Sequence, residues 1–502
     1  MAPKALGALV AVVVGLAVLV GAVIVLTSGP SGPEVGANVL VNPPGPITAN
    51  NSPTLVRHPD QPEHLVVAQR IDRPGFSALI EWSEDGGASW QPTTLPLPPG
   101  TAPCAASPQQ VPCPFAPDIA FGPDGTLYVL YVELQGQGNT PARLWLATST
   151  DGGRSIASPV QVAGELTFQP RVAVDPEGTV HLIWLQAADV ALNRLVGQAT
   201  VVASRSSDGG RSFSAPLPIS DPARLRVGAA TPEIDRNGDL VVLYEDFKDD
   251  RRDFEGLEGP PAEDPFALVV TRSDDGGQTF SPGVELESGI VATKRFLVFL
   301  PEHPSLAAGP DDVLYAVWNS GQNDDDDVFL RRSDDGGATW GDAVRVNDNP
   351  AGDGTHQYLP RVSVAPGGRV DVLFYDRRDD PANVMTDAYL ASSHDGGATF
   401  DNLRVSSTSF DSSVGPVFDQ DFGADFGTRI GLDSTDTGAV ATWTDTRLGD
   451  VDDGRQDIFA TTIAGLGSAG FPWWVLVAVV LGAALAWFTG KRARRQRPEE
   501  TA

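Results

Sequence analysis

The octapeptide "SDDGGATW", Ser333 to Trp340, decides how this chain folds. Adjacent aspartates, paired glycines and a hydroxyl suggest a metal loop or a phosphate cradle. The phrase recurs, however: "SEDGGASW" ends at Trp90, "STDGGRSI" at Ile156, "SSDGGRSF" at Phe213, "SDDGGQTF" at Phe280 and "SHDGGATF" at Phe400. The shared aspartates are Asp85, Asp151, Asp208, Asp275, Asp335 and Asp395, at separations of 66, 57, 67, 60 and 60 residues. A near-constant period marks a repeat architecture, so the phrase is one part of a unit. Each piece suits a tight turn: the carboxylate accepts backbone N–H bonds from the residues after it, and Gly-Gly supplies positive φ. The last position, aromatic in five of six copies, anchors the turn in a packed layer. No copy has the alternating oxygen ligands and distal glutamate of a calcium loop. The aspartates read as structural.

Around each copy the same strands line up. A first strand opens with Pro or Thr and ends in a turn ("PDIAFGPDG", "PRVAVDPEG", "PRVSVAPGG"). A second follows ("TVHLIW", "DLVVLY", "RVDVLF"), a third precedes the octapeptide ("ALVVTRS", "VFLRRS"), and a fourth succeeds it ("AVRVND"). Alternating apolar positions between turn signals predict an all-β protein.

The S-x-D-x-G-x-(S/T)-(W/F) turn resembles the Asp-box, or bacterial neuraminidase repeat, of sialidases and related β-propellers. The resemblance implies a propeller of four-stranded blades. It implies activity less directly, because the same turn occurs in non-catalytic propellers such as sortilin-type receptors. A seventh unit lacks the box: "TRIGLDSTDTGAVATWTDTR" followed by "DIFATTI", ending near Ile463. Its missing fourth strand has a counterpart at the other end of the chain, where "NVLVNPP" (Asn38 to Pro44) matches "VRVNDNP" of a preceding unit. An N-terminal strand completing the last blade removes both open edges. The expectation is therefore an all-β, seven-bladed propeller over residues 37–465, with the six-bladed sialidase arrangement as the alternative.

Two apolar runs flank it, Ala5 to Leu26 and Phe471 to about Thr489, each long enough to cross a bilayer. "KRARRQR" follows the second, and no Lys or Arg lies between the first and Arg57. The positive-inside rule then places residues 1–4 and 490–502 in the cytoplasm, helices at 5–27 and 471–489 in the cell membrane, linkers at 28–36 and 466–470, and the propeller outside. A cleaved signal peptide is the alternative for the first run. The segment between the runs keeps 29 of 35 Lys and Arg and 63 of 65 Asp and Glu, a formal charge of −34. Such a surface repels nucleic acid and anionic headgroups. The only cysteines, Cys104 and Cys113, share a Pro-rich segment, and export favours a disulfide between them. No cofactor is expected. "QNDDDD" (Gln322 to Asp327) and "DQDFGAD" (Asp419 to Asp425) lack EF-hand spacing, so no metal site is predicted.

In a propeller, loops entering strand one and leaving strand two share the face opposite the boxes, where a pocket over the central channel would form. The first residues of the seven first strands are Thr54, Asp118, Arg171, Glu233, Ser305, Arg361 and Arg429, a polar ring. A second polar ring just beyond strand two comprises Arg70, Glu133, Gln186, Asp246, Ser320, Asp376 and Asp445. Three arginines at equivalent positions resemble the sialidase triad that clamps a substrate carboxylate, a task suited to the guanidinium fork. That resemblance implies Arg171, Arg361 and Arg429 as substrate-binding residues, with Asp246 and Asp445 beside them. It further implies a tyrosine nucleophile from Tyr358 or Tyr375, with Glu233, Asp376 and Asp118 as acidic partners. The Arg-Ile-Pro signature of sialidases is absent; "QRIDRP" is the nearest stretch. The competing reading is structural: Asp118, Arg171 and Glu233 pair to seal first strands together, and "YDRRDD" and "TDTRLGD" are acidic loops with internal ion pairs. Two functions follow: a membrane-anchored extracellular propeller that binds, and in its stronger form hydrolyses, an acidic glycan, or a non-catalytic propeller presenting loops to a protein or surface polysaccharide.

Overall fold

Strand four of each blade is the most exposed while strands one to three are largely buried, so each sequence unit buries its faces between neighbouring units. The computed structural model describes residues 32–467 apart from 46–48, 74, 99–112, 136–139, 189–197, 249–264, 292–303, 324 and 417–425. Among these residues, seven antiparallel sheets follow one another along the chain. Their first strands are Ala49–His58, Cys113–Phe121, Thr167–Val174, Val227–Ile234, Ser305–Ala308, Gln357–Val364 and Gly431–Ser434, which define blades 1 to 7. The propeller, Val35–Ala464, is one compact unit. Apolar clusters bridge successive blades, one of them running from Phe168 through Val241 and Leu268 to Trp318.

Blade 7 is closed by the start of the chain. Val39–Leu40 pairs antiparallel with Asp457–Ala464, Val39 opposite Ala460 and Leu40 opposite Phe459. The Ile458 N–H donates to Asn42 Oδ1 at 2.7 Å, and Asn42 Nδ2 donates to Asp457 Oδ1 at 2.9 Å. Asn347 in blade 5 repeats both bonds, accepting from Val328 N and donating to Asp327 Oδ1. This explains why "NVLVN" reads like "VRVND": each asparagine ties strand four to the aspartate that opens strand three.

All six boxes share one bonding scheme. In blade 5, Ser333 Oγ donates to Asp335 Oδ1 and accepts from Gly337 N at 2.8 Å, and Thr339 donates to both carboxylate oxygens through N and Oγ1. Both glycines lie at positive φ, 66° and 90°. These bonds hold the box carboxylates below their usual range, Asp395 at about 2 chiefly through the Thr399 hydroxyl. The boxes also clamp blades together. Arg205, Arg272 and Arg332 each reach the first box glycine of the next blade, donating to the carbonyls of Gly276, Gly336 and Gly396 at 3.2, 2.9 and 3.3 Å.

Two expectations need correction or lie out of view. Cys113 is wholly buried as the first residue of blade 2, packed with Phe115 and Leu134, and carries a free thiol. It behaves as a core apolar residue; Cys104 lies outside the described residues. Both apolar flanking runs also lie outside them, and among the described residues no helix is long and apolar enough to cross a membrane.

Candidate site at the channel mouth

Five first strands bulge at one level. The register shifts between Asn51 and Thr54, Phe115 and Asp118, Phe168 and Arg171, Gly228 and Thr231, and Tyr358 and Arg361. At each shift a non-glycine residue adopts positive φ: Ser52, Ala116, Gln169, Ala229 and Leu359, between 48° and 55°. Four of them precede proline, a position that disfavours helical backbone, so the bulges carry strain. A bulge re-aims the side chain that follows. Here it turns Thr54, Asp118, Arg171, Thr231 and Arg361 to one level of the central channel.

That register corrects the predicted ring. Thr231, opposite Leu243, and Gly431, opposite Thr442, occupy the level assigned to Glu233 and Arg429. Glu233 lies two residue pairs further along the channel, opposite Val241, and Arg429 lies two residues nearer the mouth. The cause is local. Blade 4 places its proline two residues late, and blade 7 enters through Gly427-Thr428 without one, whereas the level is set by the bulge.

The channel has a volume of about 440 Å³ and is lined by Thr54, Asp118, Arg171, Thr231, Glu233, Arg361 and Arg429, with Arg57 and Asp433 at the box end. Asp118 is the hub of its near side. It accepts from Thr54 Oγ1 at 3.0 Å, Arg171 at 3.3 Å and Val172 N at 3.0 Å, joining blades 1, 2 and 3. Glu233 does not complete the predicted chain of pairs; it accepts from Ala308 N of blade 5 at 3.1 Å. Arg429 donates to the Pro117 carbonyl. Among the described residues, Nε of Arg171 and Nε of Arg429 are buried without a partner, and Arg361 makes no hydrogen bond or ion pair.

The three guanidinium groups feel one another. Burial, and then the charge of Arg171, push Arg429 down to about 9, with Arg361 and Arg70 adding to the effect. Burial also lowers Arg171, against the attraction of Asp118 and with the repulsion of Arg361. Glu233 is pushed up to about 7 by burial, despite Arg361. Arg171, Arg361 and Arg429 therefore share one end of the channel with Asp118, which three donors occupy, and with Glu233, whose carboxyl burial pushes up to about 7, while Arg57 and Asp433 pair with each other at the box end. Guanidinium groups in this arrangement concentrate positive charge at one end of the channel.

The second polar ring is occupied with holding the blades. Asp376 is buried, bound by Arg378 and Gln357; Asp445 is buried against Arg447 and the Trp443 indole; Asp246 meets Arg224 at 2.5 Å. The loops "YDRRDD" and "TDTRLGD" thus contain the internal ion pairs of the structural reading. Tyr375 is wholly buried, its hydroxyl donating to Thr444 O and accepting from Thr444 N, and burial raises its phenol well above the ordinary value. Tyr358 is buried against it, its hydroxyl beside Arg377 and Thr386. Neither tyrosine lines the channel, and nor do Asp376, Asp246 or Asp445. The strand-two pattern that nominated Asp376, Asp246 and Asp445 leads into the sheet, because a residue at the end of a buried strand is tied to its neighbours. Among the described residues, no group of three or more His, Cys, Asp or Glu side chains could hold a metal ion. The "DQDFGAD" loop lies outside them. Thr231 and the Arg57–Asp433 pair, 2.5 Å apart, escaped the sequence reading. Only the two-residue offset of the proline in "ATPE" signalled the former.

Fold and site together define an Asp-box propeller with a cationic channel mouth. Residues 37–292 match the BNR repeat-like domain, and the chain belongs to that family. No curated protein matches it. Among solved structures, a protein of unknown function from Dyadobacter fermentans is 14% identical over 86% of this chain and 99% of its own, with a TM-score of 0.47. A Hadza microbial sialidase is 17% identical over 66% of this chain and 64% of its own, TM-score 0.43. An ulvan lyase is 12% identical over 84% and 96%, TM-score 0.47.

Proposed function

We propose that this protein is an extracellular propeller that binds an acidic glycan by seating a carboxylate on Arg361 and Arg429 at the channel mouth. One observation carries the reading: Arg361 faces the channel with no protein partner, beside two further arginines whose Nε groups are also unsatisfied. An unpaired cation beside like charges in a confined space is costly unless an anion completes it. The volume of about 440 Å³ suits one or two sugar rings, within the range of small-ligand sites. The net charge of −34 on the exported segment repels a polyanion broadside. A single acidic residue presented end-on to the mouth avoids that penalty.

Hydrolysis is the second reading, favoured by Glu233 alone. A carboxyl held near 7 inside the same channel has the protonation state of a general acid. Anchoring in the cell membrane is proposed from the apolar runs at 5–26 and 471–489 and the basic tail. Retention of the full chain in a carbonate-washed membrane pellet, with the propeller digested by protease added outside cells, tests both location and orientation. The binding reading is tested on residues 32–467 by calorimetry with N-acetylneuraminate, glucuronate and the uncharged methyl ester of each. Binding of at least one acid with loss on esterification is expected. Failure of every acid to bind at millimolar concentration overturns it. Release of aryl alcohol from aryl glycosides, lost in Glu233→Gln, decides whether hydrolysis follows.

A further inference from the structure

Glu233 lies two residue pairs past the arginine level and lines the same channel as Arg361, with blade 5 between their strands. The blade 5 first strand lines that stretch with Leu306, Ala307 and Ala308 and carries no charge there. Among the described residues, the carboxylates lining the channel are Asp118, Glu233 and Asp433, the last paired with Arg57. Asp118 is consumed by three donors, whereas Glu233 accepts one backbone N–H and forms no ion pair among the described residues. The other titratable groups around Glu233 are accounted for. Asp235 follows on its own strand and pairs with Arg272; Arg171 on blade 3 pairs with Asp118. His181 and Arg205, on the blade 3 strands packed behind it, are held by Asp175 and the Gly276 carbonyl. Val241 stands opposite. Asp433, at the same depth on blade 7, is taken by Arg57, so among the described residues lining the channel Glu233 is the carboxyl without an ion-pair partner and the one left to neutralise Arg361.

We propose that the channel takes up its anionic ligand together with one proton, which Glu233 holds, so that ionised Glu233 and the ligand are competitors for Arg361. This rests on the reading of the channel as a carboxylate site and adds its regulation. With the proton, Glu233 is neutral and the arginines are free to hold an anion. Without it, a second negative charge enters the confined space, repels the ligand and satisfies Arg361 instead. Ligand binding must then raise the proton affinity of Glu233 by the same factor as protonation raises that for ligand. Because burial already holds Glu233 near 7, the exchange falls in the range from mildly acid to mildly alkaline surroundings.

The test is calorimetric titration of residues 32–467 with N-acetylneuraminate and with glucuronate, both ionised throughout, from pH 6 to pH 8. For the wild type, affinity is expected to fall about tenfold over this interval, the factor that one linked group near 7 imposes. Repetition at pH 8 in buffers of different ionisation enthalpy should show uptake approaching one proton per ligand bound. Glu233→Gln keeps the acceptor for Ala308 N and should bind at pH 8 as tightly as the wild type does at pH 6, without pH dependence. Binding that is independent of pH in the wild type, or dependent to the same degree in Glu233→Gln, overturns the proposal while leaving the carboxylate site intact. If the variant does not fold, the buffer series on the wild type decides alone: no proton uptake refutes it. Absence of binding by either acid at any pH removes the site itself and the proposal with it.

Discussion

Arg361 and Arg171 occupy equivalent positions in their blades, yet the structure assigns them opposite energetic roles, and alanine substitution should separate them. Arg171 is buried and meets Asp118, itself buried, at 3.3 Å. Removing it leaves a buried carboxylate with only neutral donors, Thr54 Oγ1 and Val172 N, so Arg171→Ala should cost about 3–5 kcal/mol of folding stability, as for the loss of one partner from a buried pair. Arg361 makes no protein hydrogen bond or ion pair and lies among like charges. Its removal should leave the melting temperature unchanged or slightly higher, while costing about 1.5–3 kcal/mol of affinity for an acidic sugar, the worth of charge-assisted hydrogen bonds. Arg361→Lys should recover little of that, since a point charge does not reproduce the fork. Chemical denaturation gives the stability term and calorimetry at pH 6 the affinity term. A large stability loss in Arg361→Ala with unchanged affinity would show that the cationic cluster is structural, and the functional reading would fail.

Four further outcomes follow from the fold. Ser333→Ala removes the hydroxyl that accepts from Gly337 N and donates to Asp335, and should lower stability by about 1–3 kcal/mol with ligand affinity unchanged. Because the box carboxylates titrate lower in the folded chain than the ordinary 3.8, their contribution is complete above that value and is lost as pH falls through about 2 for Asp395; Asp395→Asn should flatten this part of an acid-unfolding curve. Asn42→Ala should cost about 2–4 kcal/mol in denaturant melts, because it orphans the Ile458 N–H and withdraws a donor from Asp457 in the strand that closes the ring. Cys113 should resist alkylation until the protein unfolds, and Cys113→Ser should destabilise by about 1–3 kcal/mol by burying a hydroxyl among apolar side chains; rapid native labelling would contradict its burial.

The architecture was legible because its determinants are local and repeated. Ser, Asp, Gly-Gly and Ser/Thr at fixed offsets specify one turn, and six copies set the period. Even the closure could be read, since Asn42 and Asn347 solve the same bonding problem with the same residue. The inter-blade clamp was also written in the chain, as an arginine immediately before the box serine in Arg205, Arg272 and Arg332. It stayed hidden because its partner is a backbone carbonyl 64 to 71 residues away, which leaves no mark in composition.

The site was legible only in part, and the reason is register. Counting from proline placed Asp118, Arg171 and Arg361 correctly at the channel, where proline directly follows the positive-φ residue of the bulge. It misplaced Glu233 and Arg429, where the spacing differs by two. In a strand a shift of two keeps the same face, so both still line the channel, at other depths. That displacement is chemically consequential. Had Glu233 stood level with Arg171 and Asp118, it would have completed a chain of ion pairs and the ring would be only a seal. Two residues further along, it has no ion-pair partner among the described residues, burial pushes its carboxyl up to about 7, and Arg361 makes no ion pair there.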